Sequence, residues 1–313
     1  MKTGALIIAA GQEKEQKEFR PMLPVGDSTV IRRIIITMQQ AGIEPIVVIT
    51  GKQGDELERH IARLQVISLR NRDYETTQMF DSICMGLRYI EDLCDRVFIL
   101  PAKFPMFLPV TIRQMMRADA PVVCPTVEGR RGHPVLVSRK MISRILSYHG
   151  DSGLRGALRQ PEMEQWVMEI PVEDTGIIQA VERKEDSSRP SVEKKKIQIH
   201  PKISLNLERN EAFFGSSVAQ FLKLIAHTGS MQTACRQMHM SYTKGWNLLK
   251  EAERQFGFPL LVTGSGGAVG GFSQLTPKGE ELLKKYGLME QRLREEAERL
   301  FQEYFPEYAD GEI

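Results

Sequence analysis

The stretch Ile99-Leu100-Pro101-Ala102-Lys103-Phe104-Pro105 follows an apolar run, 97–100, that reads as a buried strand, and it sets a lone cation directly after it. Ligands of open α/β sheets sit at the carboxyl ends of the strands. An ammonium at such an end suits an anion and is a poor neighbour for a metal. An earlier strand-like run, residues 4–10, ends at Ala10-Gly11. A polar loop carrying Lys14, Lys17 and Arg20 follows, and then Leu23-Pro24-Val25-Gly26. A tight glycine turn lets backbone amides reach phosphates, and basic side chains neutralise them. The segments Ile49-Thr50-Gly51, NRDYETTQMFDSICMGL (71–87), Arg131-Gly132-His133-Pro134-Val135 and Gly150-Asp151-Ser152-Gly153 belong with these pieces. The chemistry they support is nucleotide binding, with Ala10, Gly11, Lys17, Arg20, Ser82 and Lys103 as the contacting set. No residue is assigned as catalytic and none as a metal ligand.

A different chemistry is written further along. Val218, Phe221, Leu222 and Ile225 fall on one helical face, and Thr228-Gly229-Ser230 makes a turn in which Ser230 caps the next helix. In SMQTACRQM, Ala234 is a small residue where two helices cross closely. Ser241 caps a third helix, SYTKGWNLLKEAERQF, on which Trp246, Leu249 and Phe256 are expected to face inward. Tyr242, Thr243, Lys244, Asn247 and Lys250 then face outward. Helix, short turn and a helix with polar and basic residues on its exposed N-terminal part make a helix-turn-helix pattern. Amides and hydroxyls read base edges, while lysines hold phosphates. Ser230 and Gln232 join this set. The segment PLLVTGSGGAVGGFSQLT does not carry a phosphate loop, because strands flank its glycines on both sides and their spacing is wrong for one. It reads as a wing hairpin whose Gly266 and Gly267 bring backbone amides near phosphates.

The elements that position these residues follow from periodicity. Strand-like runs at 4–10, 45–50, 65–69, 97–100 and 121–125 alternate with helical patterns at 29–40, 55–64, 79–93 and 111–118. That rhythm predicts an α/β fold, a mostly parallel doubly wound sheet with helices on both faces. It breaks near Glu182, where ERKEDSSRPSVEKKK is charged and has no apolar period, as a linker would be. Beyond it, residues 197–207 alternate like a strand, and a long final helix runs from Pro277 to about Tyr304. The expected division is a first domain over 1–187, a linker over 188–196 and a winged helix-turn-helix domain over 197–313.

Bulk properties narrow the classes. The 313 residues carry 42 Lys and Arg against 40 Asp and Glu, so the net charge is +2 and any basic patch must be local. Hydrophobic residues make up 42%, and no apolar run approaches the ~20 residues that span a bilayer. The four cysteines form no CxxC pair, which fits buried thiols in a reducing cytoplasm. The N-terminal MKTGALIIAAG reads as a buried strand rather than a cleaved leader.

Two resemblances follow from these motifs. Residues 197–286 carry the spacing GS…A…SY…W, the double-glycine wing and LTPKG. They resemble the winged-helix domain of the ModE molybdate-responsive regulators and, more distantly, the LysR-type regulators. That implies a homodimer on a palindromic operator in double-stranded DNA, with the terminal helix helping to pair the chains. The molybdate-binding domain of ModE has no counterpart in these residues, so molybdate sensing by that route is not implied. Residues 3–187 resemble the molybdenum cofactor nucleotidyltransferases of the MobA and MocA type, which join a nucleoside triphosphate to molybdopterin with Mg²⁺.

Departures from the second pattern lie in the same motifs. In the glycine loop Glu15 and Lys17 stand where that family has Arg and Gly, and only Arg20 keeps the family's charge. Lys103 stands where the family places the aspartate that holds Mg²⁺, and Glu182 falls where a second acid stands. The expected function is a cytoplasmic DNA-binding transcriptional regulator linked to molybdenum or molybdopterin metabolism, whose degenerate transferase-like domain binds a nucleotide or pterin ligand. The alternative is an active Mg²⁺-dependent molybdenum cofactor cytidylyl- or guanylyltransferase carrying a DNA-binding domain. Mg²⁺ is expected only if that activity is retained. A scaffold that binds only protein partners is a third reading.

Overall fold

A computed structural model describes residues 1–11, 19–183, 186, 201, 203–238, 240–264 and 272–309. The chain divides into two compact units, Met1–Lys194 and Lys195–Ile313. The expected linker at 188–196 lies outside the described residues, as do residues 197–200 of the expected strand.

The central strands of the first unit, at Thr3–Ala9, Ile46–Thr50, Arg96–Pro101 and Val122–Val127, are buried almost throughout, as strands covered on both faces must be. In chain order the elements are β1 (Thr3–Ala9), the short hairpin β2 (Pro24–Val25) and β3 (Ser28–Thr29), α1 (Val30–Gln40), β4 (Ile46–Thr50), α2 (Gly54–Ile61), β5 (Ile67–Arg70), α3 (Met79–Ile90) and β6 (Arg96–Pro101). Then come α4 (Pro109–Arg117), β7 (Val122–Val127), β8 (Arg130–Arg131), β9 (Val135–Ser138), α5 (Arg139–Leu146), α6 (Gly153–Leu158), α7 (Pro161–Glu164) and β10 (Val167–Pro171). One sheet runs β10-β7-β9-β6-β1-β4-β5, with β8 paired to β7. The pairs β1–β4, β1–β6, β4–β5 and β7–β10 are parallel. β9 is antiparallel to both β6 and β7. Periodicity predicts β1, β4, β5, β6 and β7 but singles out neither the parallel edge strand β10 nor β9, whose short run follows Gly132-His133-Pro134.

Alternation along β1 sends its side chains to opposite faces. Ala5, Ile7 and Ala9 join the core with Ile31, Ile34, Ile35 and Met38 of α1 and Ile112 and Met115 of α4. On the other face Leu6 meets α3 at Gly86, where an added Cβ would stand 2.2 Å from Leu6 Cδ1. Glycine is the residue that lets this helix approach the strand so closely. The helix expected over 55–64 stops at Ile61, and the strand expected over 65–69 runs Ile67–Arg70.

The second unit opens with a hairpin of β11 (Asn206–Glu208) and β12 (Ala212–Gly215). The strand expected over 197–207 is thus confined, within the described residues, to its last two positions plus Glu208. After it come α8 (Ser216–Thr228), α9 (Met231–Gln237), α10 (Tyr242–Phe256), the antiparallel pair β13 (Leu261–Gly264) and β14 (Phe272–Leu275), α11 (Pro277–Tyr304) and α12 (Pro306–Ala309). Among the described residues no helix is long and apolar enough to cross a membrane. All four cysteines are free and buried. Burial pushes the thiols of Cys94 and Cys124 up to about 11, so they stay protonated.

Candidate functional site

In the first unit, β1, β4, β5 and β6 finish level at one edge of the sheet. Ile8 pairs with Pro101, Ala9 with Thr50, and Thr50 with Arg70. This register brings Ala10, Gly51, Asn71 and Ala102-Lys103 to that edge. Ala102 N donates to Ile8 O at 2.8 Å. Gly51 is pressed against Ala10, since a Cβ on it would stand 2.7 Å from Ala10 O. Ala10 is buried while Gly11 is exposed with open space around it. The backbone after β1 is therefore accessible at Gly11.

Asn71 organises the next part of the edge. Its Nδ2 donates to Thr77 Oγ1 at 2.9 Å and to Ser82 Oγ at 3.1 Å, while its Oδ1 accepts from Asp73 N at 3.0 Å. Ser82 is 3% exposed. Its hydroxyl thus ties α3 to the strand end, which explains its place at the site without a ligand. Arg70 is committed to Asp55 at 2.7 Å and Glu58 at 2.9 Å. Arg20 opens a 3₁₀ turn, Arg20–Met22, that leads into β2. Lys17 and the substituted loop position Glu15 lie outside the described residues.

Lys103 follows β6 in a tight turn, its N–H donating to Pro101 O at 2.8 Å. Its carbonyl accepts from Val181 N at 2.8 Å. The ammonium lies 3.2 Å from Glu182 Oε1 and 5.4 Å from the Phe104 ring centroid. The Phe104 ring in turn packs against His133, with centroids 4.6 Å apart. Burial first, and the Lys103 charge second, hold the His133 imidazole down at about 4, so it is neutral at physiological pH. Among the described residues its Nδ1 is buried without a hydrogen-bond partner. His133 was visible in sequence only as part of a GHPV motif. Its main-chain N–H donates to Ile177 O at 2.8 Å, a contact between distant segments.

The donor chemistry of this edge is that of an anion site. Mg²⁺ takes hard oxygen ligands. Here the strand end presents an ammonium, and Glu182 is engaged with it. Among the described residues no three His, Cys, Asp or Glu are grouped to hold a metal. The carboxylate of Asp174 is spent on structure: it accepts from Leu108 N, Thr111 Oγ1 and Gly176 N at 2.7, 2.6 and 3.0 Å. The described residues do not fit a magnesium site.

In the second unit Ser230 Oγ accepts from Thr233 N and Ser241 Oγ from Lys244 N, each at 3.2 Å, so both serines cap helices as their positions predict. Met240 N donates to Cys235 O at 3.0 Å and closes the turn between α9 and α10. Gln232 on α9 and Ser241, Tyr242, Thr243, Lys244, Asn247 and Lys250 at or on α10 are exposed. Gly266 and Gly267 lie outside the described residues, between β13 and β14. Lys250 forms an ion pair with Glu253 at 2.7 Å, and Glu253 Oε1 accepts from Leu260 N at 2.9 Å.

One expectation fails here. Trp246 does not face inward: it is 37% exposed, stacks on Tyr242 with centroids 6.5 Å apart, and carries Lys250 Nζ 4.7 Å above its ring. The inward row is Gly245, Leu249 and Ala252, with Phe256 packed on Phe213 and Phe214. Gly245 was the missed signal, because a glycine inside a helix marks a close approach.

A family described as the MobA-like NTP transferase domain matches residues 5–165. Bacterial regulatory helix-turn-helix proteins of the lysR family match residues 219–280. The molybdenum-pterin-binding protein MopB of Rhodobacter capsulatus is 34% identical over 84 residues, 27% of this chain and 31% of that protein. The transcriptional regulator ModE of Haemophilus influenzae is 32% identical over 102 residues, 32% of this chain and 40% of that protein. The chain therefore spans about a third of the length of these curated relatives. The molybdenum cofactor cytidylyltransferase of Escherichia coli is 24% identical over 156 residues, 49% of this chain and 79% of that protein. A solved nucleotidyl transferase from Methanothermobacter thermautotroptrophicus superposes with a TM-score of 0.51 at 18% identity, covering 59% of this chain and 94% of that one. It shows the fold of the first unit.

Proposed function

We propose that this chain, which belongs to the MobA-like NTP transferase domain family and carries a LysR-type helix-turn-helix, is a DNA-binding transcriptional regulator of molybdenum or molybdopterin metabolism. The observation that carries the reading is the exposed face of α10. Ser241 caps its start, and Tyr242, Thr243, Lys244 and Asn247 project from its first two turns. These side chains supply hydroxyl, amide and ammonium groups of the kind that read a major groove. The assignment to molybdenum biology draws on the curated relatives of both units. A palindromic operator bound by a homodimer is part of the same reading.

The transferase-like unit then serves as a ligand-binding domain for a nucleotide or pterin phosphate, with Ala10, Gly11, Lys17, Arg20, Ser82 and Lys103 around the ligand and Ser82 acting through Asn71. Selection of bound DNA from a random pool with the full chain tests the regulator. Enrichment of one motif, bound at least ~10³-fold more tightly than bulk DNA at moderate salt, is expected. A pool with no enriched sequence overturns it.

A second reading, an active cytidylyl- or guanylyltransferase with a DNA-binding domain, is favoured by the match along most of the Escherichia coli cytidylyltransferase. Pyrophosphate release from CTP or GTP in the presence of molybdopterin and Mg²⁺ would establish it. The ammonium of Lys103 among the site's donors weighs against it.

A further inference from the structure

We infer that Lys103 is the resident cation of an oxyanion site that works without a divalent metal, and that a phosphate-bearing ligand bound there takes the ammonium away from Glu182. This rests on the reading of the first unit as a nucleotide-binding domain, and it adds how that site is charged and what moves when it fills.

The backbone around Lys103 is held on three sides. Ala102 N donates to Ile8 O, Lys103 N to Pro101 O, and Lys103 O accepts from Val181 N, all at 2.8 Å. The side chain therefore starts from a fixed point at the carboxyl end of β6, the strand paired with β1. The ion pair it makes is a weak one. Lys103 and Glu182 make one contact, Nζ to Oε1 at 3.2 Å, with side chains 31% and 46% exposed. Water and salt screen such a pair, and holding two long side chains in one geometry opposes it. A phosphate group brings more negative charge and several acceptor oxygens, so it competes well for the same ammonium. A divalent cation has no such entry, since the ammonium repels it.

The main chain around Glu182 is itself hydrogen-bonded. Val181, just before it, is bonded to Lys103 O. The N–H groups of Glu182 and Arg183 donate to Asp186 Oδ2 at 3.1 and 3.0 Å. These residues begin the stretch that leads to the boundary between the two units at Lys194. Filling the anion site thus removes the lysine partner of Glu182.

Titration calorimetry on the full chain tests this with CTP and GTP as probes, in EDTA and in excess Mg²⁺. Expected is binding in EDTA, with an affinity changed less than about threefold by Mg²⁺. Lys103→Met keeps the stem without the charge and should weaken binding at least ~10-fold, while Lys103→Arg should restore most of it. Glu182→Gln removes the competing carboxylate and should tighten binding about threefold or more. Lys103→Asp should abolish binding in EDTA. Strictly Mg²⁺-dependent binding by the unaltered chain overturns the inference and leaves the nucleotide-domain reading standing, as does a Lys103→Met variant of native circular dichroism that binds as well as the parent. Absence of binding by either nucleotide under both conditions overturns both.

Discussion

Gly245 of α10 packs directly onto Phe221 of α8: a Cβ at this position would stand 2.8 Å from Phe221 Cζ and 2.4 Å from Cys235 Sγ. Phe221 is fully buried and Cys235 is 3% exposed, so neither has free space to retreat into. Three helices meet through this glycine, and it sets which face of α10 points to solvent. Gly245→Val should therefore destabilise the second unit by about 2–3 kcal/mol through overpacking. Thermal unfolding followed in the two units reads this as a lowered transition for the second alone. An unchanged midpoint would show that the helices are free to move apart.

Trp246, one residue on, should behave in the opposite way. It is exposed and stacked on Tyr242, so Trp246→Ala should change stability by less than about 1 kcal/mol. On the selected DNA the same variant should lose more than about tenfold in affinity, within the range of a lost interface contact. Lys244→Ala should weaken binding evenly across sequences and lower the salt slope by about one per bound subunit. A large drop in melting temperature for Trp246→Ala would return the indole to the core.

Gly51 tests the edge of the sheet. The atoms a side chain would strike are the main-chain O and Cα of Ala10, at 2.7 and 3.0 Å, and Tyr74 Cβ at 2.9 Å. Main-chain atoms directly after a buried parallel strand cannot step aside as a side-chain tip can. Gly51→Ala should displace the turn after β1, cost about 1–3 kcal/mol in the first unit, and weaken CTP binding with it. Retained binding in a folded variant would separate this turn from the site.

His133 makes the first unit sensitive to acid. Its pKa is lowered from 6.5 to about 4 when folded, by burial and then by Lys103. Between these two values the unfolded chain binds more protons than the folded one, so stability falls as pH falls through the window. The contribution is fully present above about pH 6.5 and amounts to roughly 2–3 kcal/mol lost on reaching the folded pKa. Melting of the parent and of His133→Gln at pH 7 and pH 5 should show a smaller acid loss in the variant. Equal losses would remove His133 as the cause.

Much of the architecture was legible because helix and strand periods are local. The helix expected over 29–40 is Val30–Gln40, and the final helix from Pro277 to Tyr304 is reproduced at both ends. The capping roles of Ser230 and Ser241 were legible for the same reason, since a cap bonds only three residues ahead. The orientation of α10 was not. Trp246, Leu249 and Phe256 share a plausible apolar stripe, and hydrophobicity alone favours burying the indole. The neighbouring Gly245 wins the inward position because only a residue without a side chain fits between Phe221 and Cys235.

By itself, then, the sequence determined the kinds and limits of most elements, the change of architecture after Glu182 and the presence of a cation at the end of β6. Each of these depends on residues within a few positions of one another. Tertiary structure decided the rest. It inserted β9 antiparallel between β6 and β7, turned Trp246 to solvent, and set Lys103 against Glu182 across 79 positions of chain. Such pairings arise when distant segments close on a common core, and the period of neither segment records which partner it will meet.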